Sequence, residues 1–182
     1  ALLGLVSTAL LQGVPLDIAW RESAKGLEFS RKAKYQDDVD VILSQQRFIA
    51  NMQGRTASFS SFDDVQAGQD TSDENTFKET AFEAELGKDR TPMLVYRYWL
   101  LKMQARFVSG DDAEALAAAR KAKALLWAAL GIPELVLNYH YYAALVMTAL
   151  YEGAPADEQR EWRELLLEHQ TQLREWAQVY PP

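Results

Sequence analysis

The sequence predicts an all-α protein of antiparallel helical hairpins stacked side by side, about seven to eight helices in all. Apolar residues recur every three or four positions through most of the 182 residues, the period of a helix with one buried stripe. The later helices are joined by two- or three-residue turns containing Gly or Pro, and turns that short force neighbours to run antiparallel. Small residues recur where such neighbours approach closely: Ala105, Ala115, Ala119, Ala122, Ala143 and Ala144.

The elements follow in order. Ala1 to Leu11 reads ALLGLVSTALL. It has no basic flank before it and too little length to span a membrane, so it reads as a buried helix rather than a leader. Leu16, Trp20, Ala24 and Leu27 place one stripe on a helix over 15–34. Val39, Ile42, Leu43, Ile49 and Met52 do the same over 36–53, and Gly54 stops that helix. Residues 54–72, rich in Ser, Thr, Asp and Gly, predict a long mobile surface loop pinned lightly by Phe59, Phe62 and Val65. A short helix over 73–86 turns Phe77, Ala81, Phe82 and Leu86 inward.

Thr91-Pro92 supplies a cap and a preorganised first helical residue. Leu94, Tyr98, Leu101, Ala105 and Val108 then mark a stripe down to Ser109-Gly110. Asp111-Asp112-Ala113-Glu114 is close to a capping box, and its helix carries Ala115, Ala119, Ala122, Leu126 and Ala129 on one side. After Gly131-Ile132-Pro133, Leu135 to Tyr151 is apolar nearly all round, which predicts a helix buried in the middle of the stack. Beyond Gly153-Ala154-Pro155, the last helix shows Trp162, Leu165, Leu166, His169, Leu173, Trp176 and Tyr180 along one stripe.

Composition narrows the function. An apolar fraction of 48% and a charged fraction of 25% are ordinary for a globular domain, and the length suits a single one, here 1–182. The net charge is −7, and residues 1–91 hold 10 of the 19 basic and 15 of the 26 acidic residues. Neither half is basic, so neither nucleic acid nor an anionic membrane is an expected partner. The absence of cysteine removes disulfides, thiolate zinc sites and cysteine nucleophiles, and fits a reducing cytoplasm.

Catalytic constellations are missing. The nine glycines are scattered and form no phosphate-cradling loop, and there is no Gly-x-Ser-x-Gly elbow. His140 and His169 lie 29 positions apart on different helices, without zinc spacing. The acidic residues Asp63, Asp64, Asp70, Asp73 and Glu74 lack the ordered ladder of a calcium loop. No metal, cofactor or catalytic residue is assigned. Candidate ligand or partner contacts are Tyr96, Arg97, Tyr98, Trp99 and Arg106 on the 92–108 helix, with His140 and Tyr142. Tyr98 fits the buried stripe, whereas Tyr96 and Trp99 lie on other faces of a helix expected to be sandwiched. Tyr98, His140 and Tyr142 are candidates for lining a small polar pocket.

A large apolar residue, a Gly-Asp turn, then Ala-Leu and repeated Ala resembles the tetratricopeptide class of helical hairpin, in degenerate form. The stretches YRYWLLKMQARFVSGDDAEALAAARKAKALLW (96–127) and HYYAALVMTALYEGAPADEQREWRELLLEHQTQLREWAQVYPP (140–182) resemble the helical region of very large bacterial signalling proteins. Those proteins carry a Ser/Thr-kinase-like domain, an AAA or STAND ATPase, the helical region, a GAF domain and usually a histidine kinase. The resemblance implies a fragment of a larger protein that relays between the ATPase and the sensor domains, with kinase activity and ATP binding outside these residues. Its expected partners are other domains of that parent or another protein. A small-ligand sensor and a homodimerisation element are the alternatives.

Overall fold

The computed structural model describes residues 9–10, 12–65, 76–88 and 90–179. Among them are seven α-helices and no strand: α1 Leu16–Ala33, α2 Gln36–Met52, α3 Glu79–Leu86, α4 Pro92–Val108, α5 Asp112–Ala124, α6 Pro133–Leu150 and α7 Ala156–Val179. Short 3-10 turns at Leu126–Ala129 and Tyr151–Gly153 join the last three. The all-α prediction is met. Most of the Ala1–Leu11 segment, the acidic residues Asp70, Asp73 and Glu74, and Tyr180 lie outside the described residues.

The architecture follows from which faces each helix buries. α2 packs on α1 and on α4, α4 on α5 and on α6, and α6 on α5 and on α7. Helices α2, α4 and α6 therefore adjoin in one row, with α1, α5 and α7 against them. The row runs in a single direction. Asp37 at the start of α2 accepts from Thr91 at the start of α4 at 3.1 Å, and Asp40 pairs with Arg90 at 2.8 Å. Tyr96 of α4 donates to the Leu135 carbonyl of α6 at 2.9 Å, and Phe107 meets Tyr142 further along both helices, ring centres 6.1 Å apart. The starts of α2 and α4 thus lie side by side, and the contacts between α4 and α6 advance together, which makes the three helices parallel neighbours.

Local signals explain the ends. Asp111 caps α5 by accepting from the Glu114 amide at 3.4 Å, as predicted. Thr91 occupies the cap position of α4, but its hydroxyl goes to Asp37 instead of its own helix. Gly54 and Gly110 take φ of 68° and 76°, the left-handed turn that other residues resist.

Three expectations need correction. In α1 the buried face is Ala19, Ser23, Gly26, Leu27 and Ser30, while Ala24 is exposed. Small side chains let α1 approach closely, and a Cβ on Gly26 would touch Ile42 Cδ1 at 3.4 Å. The helix predicted over 73–86 is observed as Glu79–Leu86. α6 is not enclosed on all sides: Leu137 and Tyr141 are exposed.

The loop after α2 is the largest surprise. Its described part, residues 54–65, is not a mobile loop but a built plug. Phe62 is fully buried, with its ring edge-on to Tyr98 at 6.0 Å. Asn51 Nδ2 lies 2.7 to 3.2 Å from the carbonyls of Ser58, Phe59 and Ser61. The Ser109 hydroxyl reaches the Phe59 carbonyl, and Arg47 pairs with Asp64. Asp63 accepts from the Glu79 amide at 2.6 Å and so caps α3 from a distance, and Asp64 accepts from the Phe77 amide at 2.7 Å. A polar segment stays ordered here because these bonds tie its backbone and side chains to α2, α3 and α4.

Beneath the plug lies an ion pair that the sequence does not advertise. Lys102, with no exposed side-chain area, meets Glu79 at 2.5 Å and donates to the Ser60 carbonyl at 2.9 Å. Its ammonium stands 4.3 Å from the centre of the Phe62 ring. Burial works to raise the pKa of the Glu79 carboxyl, but the Lys102 charge and hydrogen bonds from Lys102, the Phe62 amide and Ser61 outweigh it, leaving the carboxyl below its usual range. On Lys102 burial wins, and its pKa is lowered. The carboxylate gains from the pair, and the ammonium bears the desolvation.

Candidate functional site

A concavity lies along the row of parallel helices. It is a groove of about 410 Å³, walled by Val41, Phe48 and Met52 of α2, Leu100 and Leu101 of α4, and Leu135 of α6, with Leu10 and Leu16 also lining it. This volume falls in the range of binding clefts, and so does the mix of apolar wall and few polar groups. Each of the three helices contributes one carboxamide: Gln45 from α2, Gln104 from α4 and Asn138 from α6. Gln45 and Gln104 are themselves buried, and Asn138 is half-buried. Arg97, Glu134 and the Tyr142 side chain complete the lining. Burial lowers the pKa of Arg97, with the nearby Glu134 charge acting in the opposite sense; the guanidinium remains charged at any ordinary pH.

Of the residues singled out in the sequence, two line this groove: Arg97 and Tyr142. The others do not. Tyr96 is fully buried and bonded to the Leu135 carbonyl. Tyr98 is fully buried between Phe62, Phe82 and Trp99, and its hydroxyl donates to Glu83 at 2.8 Å. Burial drives the Tyr98 hydroxyl pKa far up, so it serves as a neutral donor. Trp99 is 8% exposed, and Lys121 of α5 stands 3.7 Å from its ring centre. Arg106 is no free surface cation: it reaches Glu79 at 3.7 Å and Glu114 at 3.3 Å. Tyr96, Tyr98 and Trp99 build the core, while Arg106 is half-buried and held in its ion pairs.

The proposed pocket of Tyr98, His140 and Tyr142 does not form either. Tyr142 faces the groove with Phe107, Tyr98 belongs to the plug side of α4, and His140 points to α7. What the structure does bring together is the two histidines. Their Nδ1 atoms lie 2.7 Å apart, so one ring donates to the other, with Trp176 and Tyr139 around them. Burial, the neighbouring His140 and Lys123 push the pKa of His169 down to about 4. Burial lowers that of His140, against the pull of Glu168. This is a neutral clasp between α6 and α7 rather than a ligand set. Among the described residues no three His, Asp or Glu side chains are grouped to hold a metal ion.

Sequence reasoning missed Gln45, Gln104 and Asn138, since an amide on a helix carries no signal until the row is assembled. In comparisons with known proteins, the chain matches no family model, no curated protein and no solved structure. The fold and groove define the class only as far as an all-α stack with a lined cleft.

Proposed function

We propose that the chain is a non-catalytic protein-interaction and relay segment of a bacterial cytoplasmic signalling protein, holding a partner segment in the groove between α2, α4 and α6. The observation that carries this reading is the groove itself, with one carboxamide from each of three parallel helices set into an apolar wall. Stacked helices commonly offer extended concave surfaces to peptides or neighbouring domains. The tetratricopeptide-like resemblance of 96–127 and 140–182 points the same way, as does the parent arrangement it implies, with an ATPase on one side and a sensor on the other. No helix among the described residues is long and apolar enough to cross a membrane, which is compatible with a cytoplasmic place.

The test is direct binding of the chain to the parent's ATPase and GAF domains, and to partners recovered from lysate. Saturable binding that is lost in Leu101→Arg, which fills the groove, and kept in Leu167→Glu, which lies outside it, supports the reading. Binding indifferent to Leu101→Arg overturns it. The cavity volume favours one second reading, a small amphipathic ligand in the same groove, and a thermal-shift screen of the chain against its Leu101→Arg variant separates the two.

A further inference from the structure

The string Arg-x-x-Ser occurs twice in the chain, as Arg55-Thr56-Ala57-Ser58 in the plug and as Arg106-Phe107-Val108-Ser109 at the end of α4. The fold treats the two oppositely. Arg106 is committed to Glu79 and Glu114, and the Ser109 hydroxyl to the carbonyls of Ala105 and Phe59. Arg55 and Ser58 are both exposed, on a hairpin closed by the Thr56–Asp64 bridge. The hairpin turns between Ser58 and Ser61, where the Ser61 amide donates to the Ser58 carbonyl at 3.3 Å. The Ser58 hydroxyl itself has no hydrogen-bond partner among the described residues. Neighbouring hydroxyls are engaged: Thr56 is buried and donates to the Ser58 carbonyl at 2.8 Å, and the Ser61 hydroxyl lies 3.0 Å from Asp63 and 3.1 Å from Glu79. Phe59, next after Ser58, is 68% exposed.

We propose that Ser58 is a phosphorylation site, served by a Ser/Thr kinase that reads an arginine three residues before its acceptor and an apolar residue just after it. Kinases choose substrates by the charge pattern around the acceptor, and a guanidinium meets a kinase carboxylate through paired hydrogen bonds. Arg55 suits that role. Its contacts are the face of the Trp20 ring, 4.2 Å away, and the Gln53 carboxamide, neither of them charged, so a carboxylate displaces both. In the transfer the Ser58 oxygen attacks the terminal phosphorus of a nucleoside triphosphate, and the bond to the bridging oxygen breaks. The nucleoside diphosphate leaves, and the hydroxyl proton passes to the kinase's base. The phosphate adds about −1.5 to −2 charge at neutral pH. It arrives beside the Ala57–Asp63 pair of the hairpin, where the Ala57 amide donates to the Asp63 carbonyl at 2.9 Å. Repulsion from the Asp63 carboxylate then loosens the plug over Lys102 and Glu79. The site lies on the plug and not in the groove, so it does not depend on what the groove holds.

The test incubates the intact chain with ATP and a kinase of Arg-x-x-Ser specificity and maps the phosphate by mass spectrometry. Ser58 is expected to take it up, and Ser109 is not. Ser58→Ala should abolish incorporation, and Arg55→Ala should slow it about tenfold or more. Far-UV circular dichroism should be unchanged in both variants, because both residues are exposed. Amide hydrogen exchange over residues 55–62 should be faster in the phosphorylated chain than in the unmodified one. An intact chain that takes no phosphate on Ser58 overturns the proposal. So does labelling of Ser109 equal to that of Ser58, a rate indifferent to Arg55→Ala, or exchange over 55–62 that the phosphate leaves unchanged or slows.

Discussion

Replacing Lys102 by Met removes the ammonium that meets Glu79 beneath the loop plug. The two side chains are 0% and 10% exposed, so the carboxylate is left largely in a dry site. Breaking a buried pair from one side costs about 3–5 kcal/mol. Here the Phe62 amide at 2.6 Å and the Ser61 hydroxyl at 3.1 Å stay on the Glu79 carboxylate, and Arg106 lies 3.7 Å away. Those contacts place the expected loss at the low end, about 3 kcal/mol. For a urea slope of about 2 kcal/mol/M, the unfolding midpoint should fall by about 1.5 M. Far-UV circular dichroism in a urea series reads this directly. Lys102→Met/Glu79→Leu should lose less than the two single changes added together, because an apolar pair refills the site without a stranded charge. The dependence on pH has a definite sign. The folded-state pKa of Glu79 is depressed, so its contribution is present above the ordinary carboxyl range and is lost as pH falls through the folded value. A Lys102→Met protein destabilised by less than about 1 kcal/mol, the size of an exposed pair, would refute the buried-pair account.

Three further outcomes are expected. Acidification should weaken the α6–α7 clasp: His169 is 4% exposed and has a pKa near 4, against about 6.5 unfolded. It has no effect above about pH 6.5 and destabilises by up to about 3 kcal/mol as pH falls toward 4. His169→Leu should flatten that part of the stability–pH curve, and an unchanged curve would place the titration elsewhere. Gly26→Ala should raise the melting temperature, gaining up to about 1 kcal/mol of helix propensity, because the added Cβ meets Ile42 Cδ1 at an ordinary 3.4 Å; Gly26→Leu should lower it. Asn51→Ala should cost about 2 kcal/mol by leaving the carbonyls of Ser58, Phe59 and Ser61 without their shared donor. In that variant residues 55–62 should exchange amide hydrogens first, and protection equal to the parent chain would contradict the anchoring role.

The helices were legible wherever a large apolar stripe marked the buried face, as in α2 and α7, or where a cap and repeated alanines marked it, as in α5. They were misread where burial uses small or charged residues. Ala19, Ser23, Gly26 and Ser30 have no hydrophobic signature, so the close face of α1 looked like its exposed one. Lys102 lies in the interior only because Glu79, some twenty positions earlier, is folded over it, and no local pattern encodes that meeting. The plug was taken for a mobile loop because its composition is that of a solvated loop, and its order comes from Asn51, Arg47 and Ser109 on other elements. Among the candidate contacts, Arg97 and Tyr142 line a groove that no sequence pattern announced, while aromatic clustering drew attention to Tyr96, Tyr98 and Trp99, which are core. Two histidines judged unrelated by spacing turned out to face each other.

The common direction of α2, α4 and α6 gives the groove an electrical polarity. Every peptide unit in the three walls points the same way, so three positive helix ends gather near Asp37, Thr91 and Pro133 and three negative ends near Met52, Val108 and Leu150. The antiparallel helices behind them cancel this field at a distance, but a segment lying in the groove touches the row directly. Under the proposed reading, charge as well as shape would orient such a segment, its acidic end toward the starts of the three helices and its basic end toward Met52. Reversing the charge order of a bound peptide would then weaken it even where every apolar contact is kept.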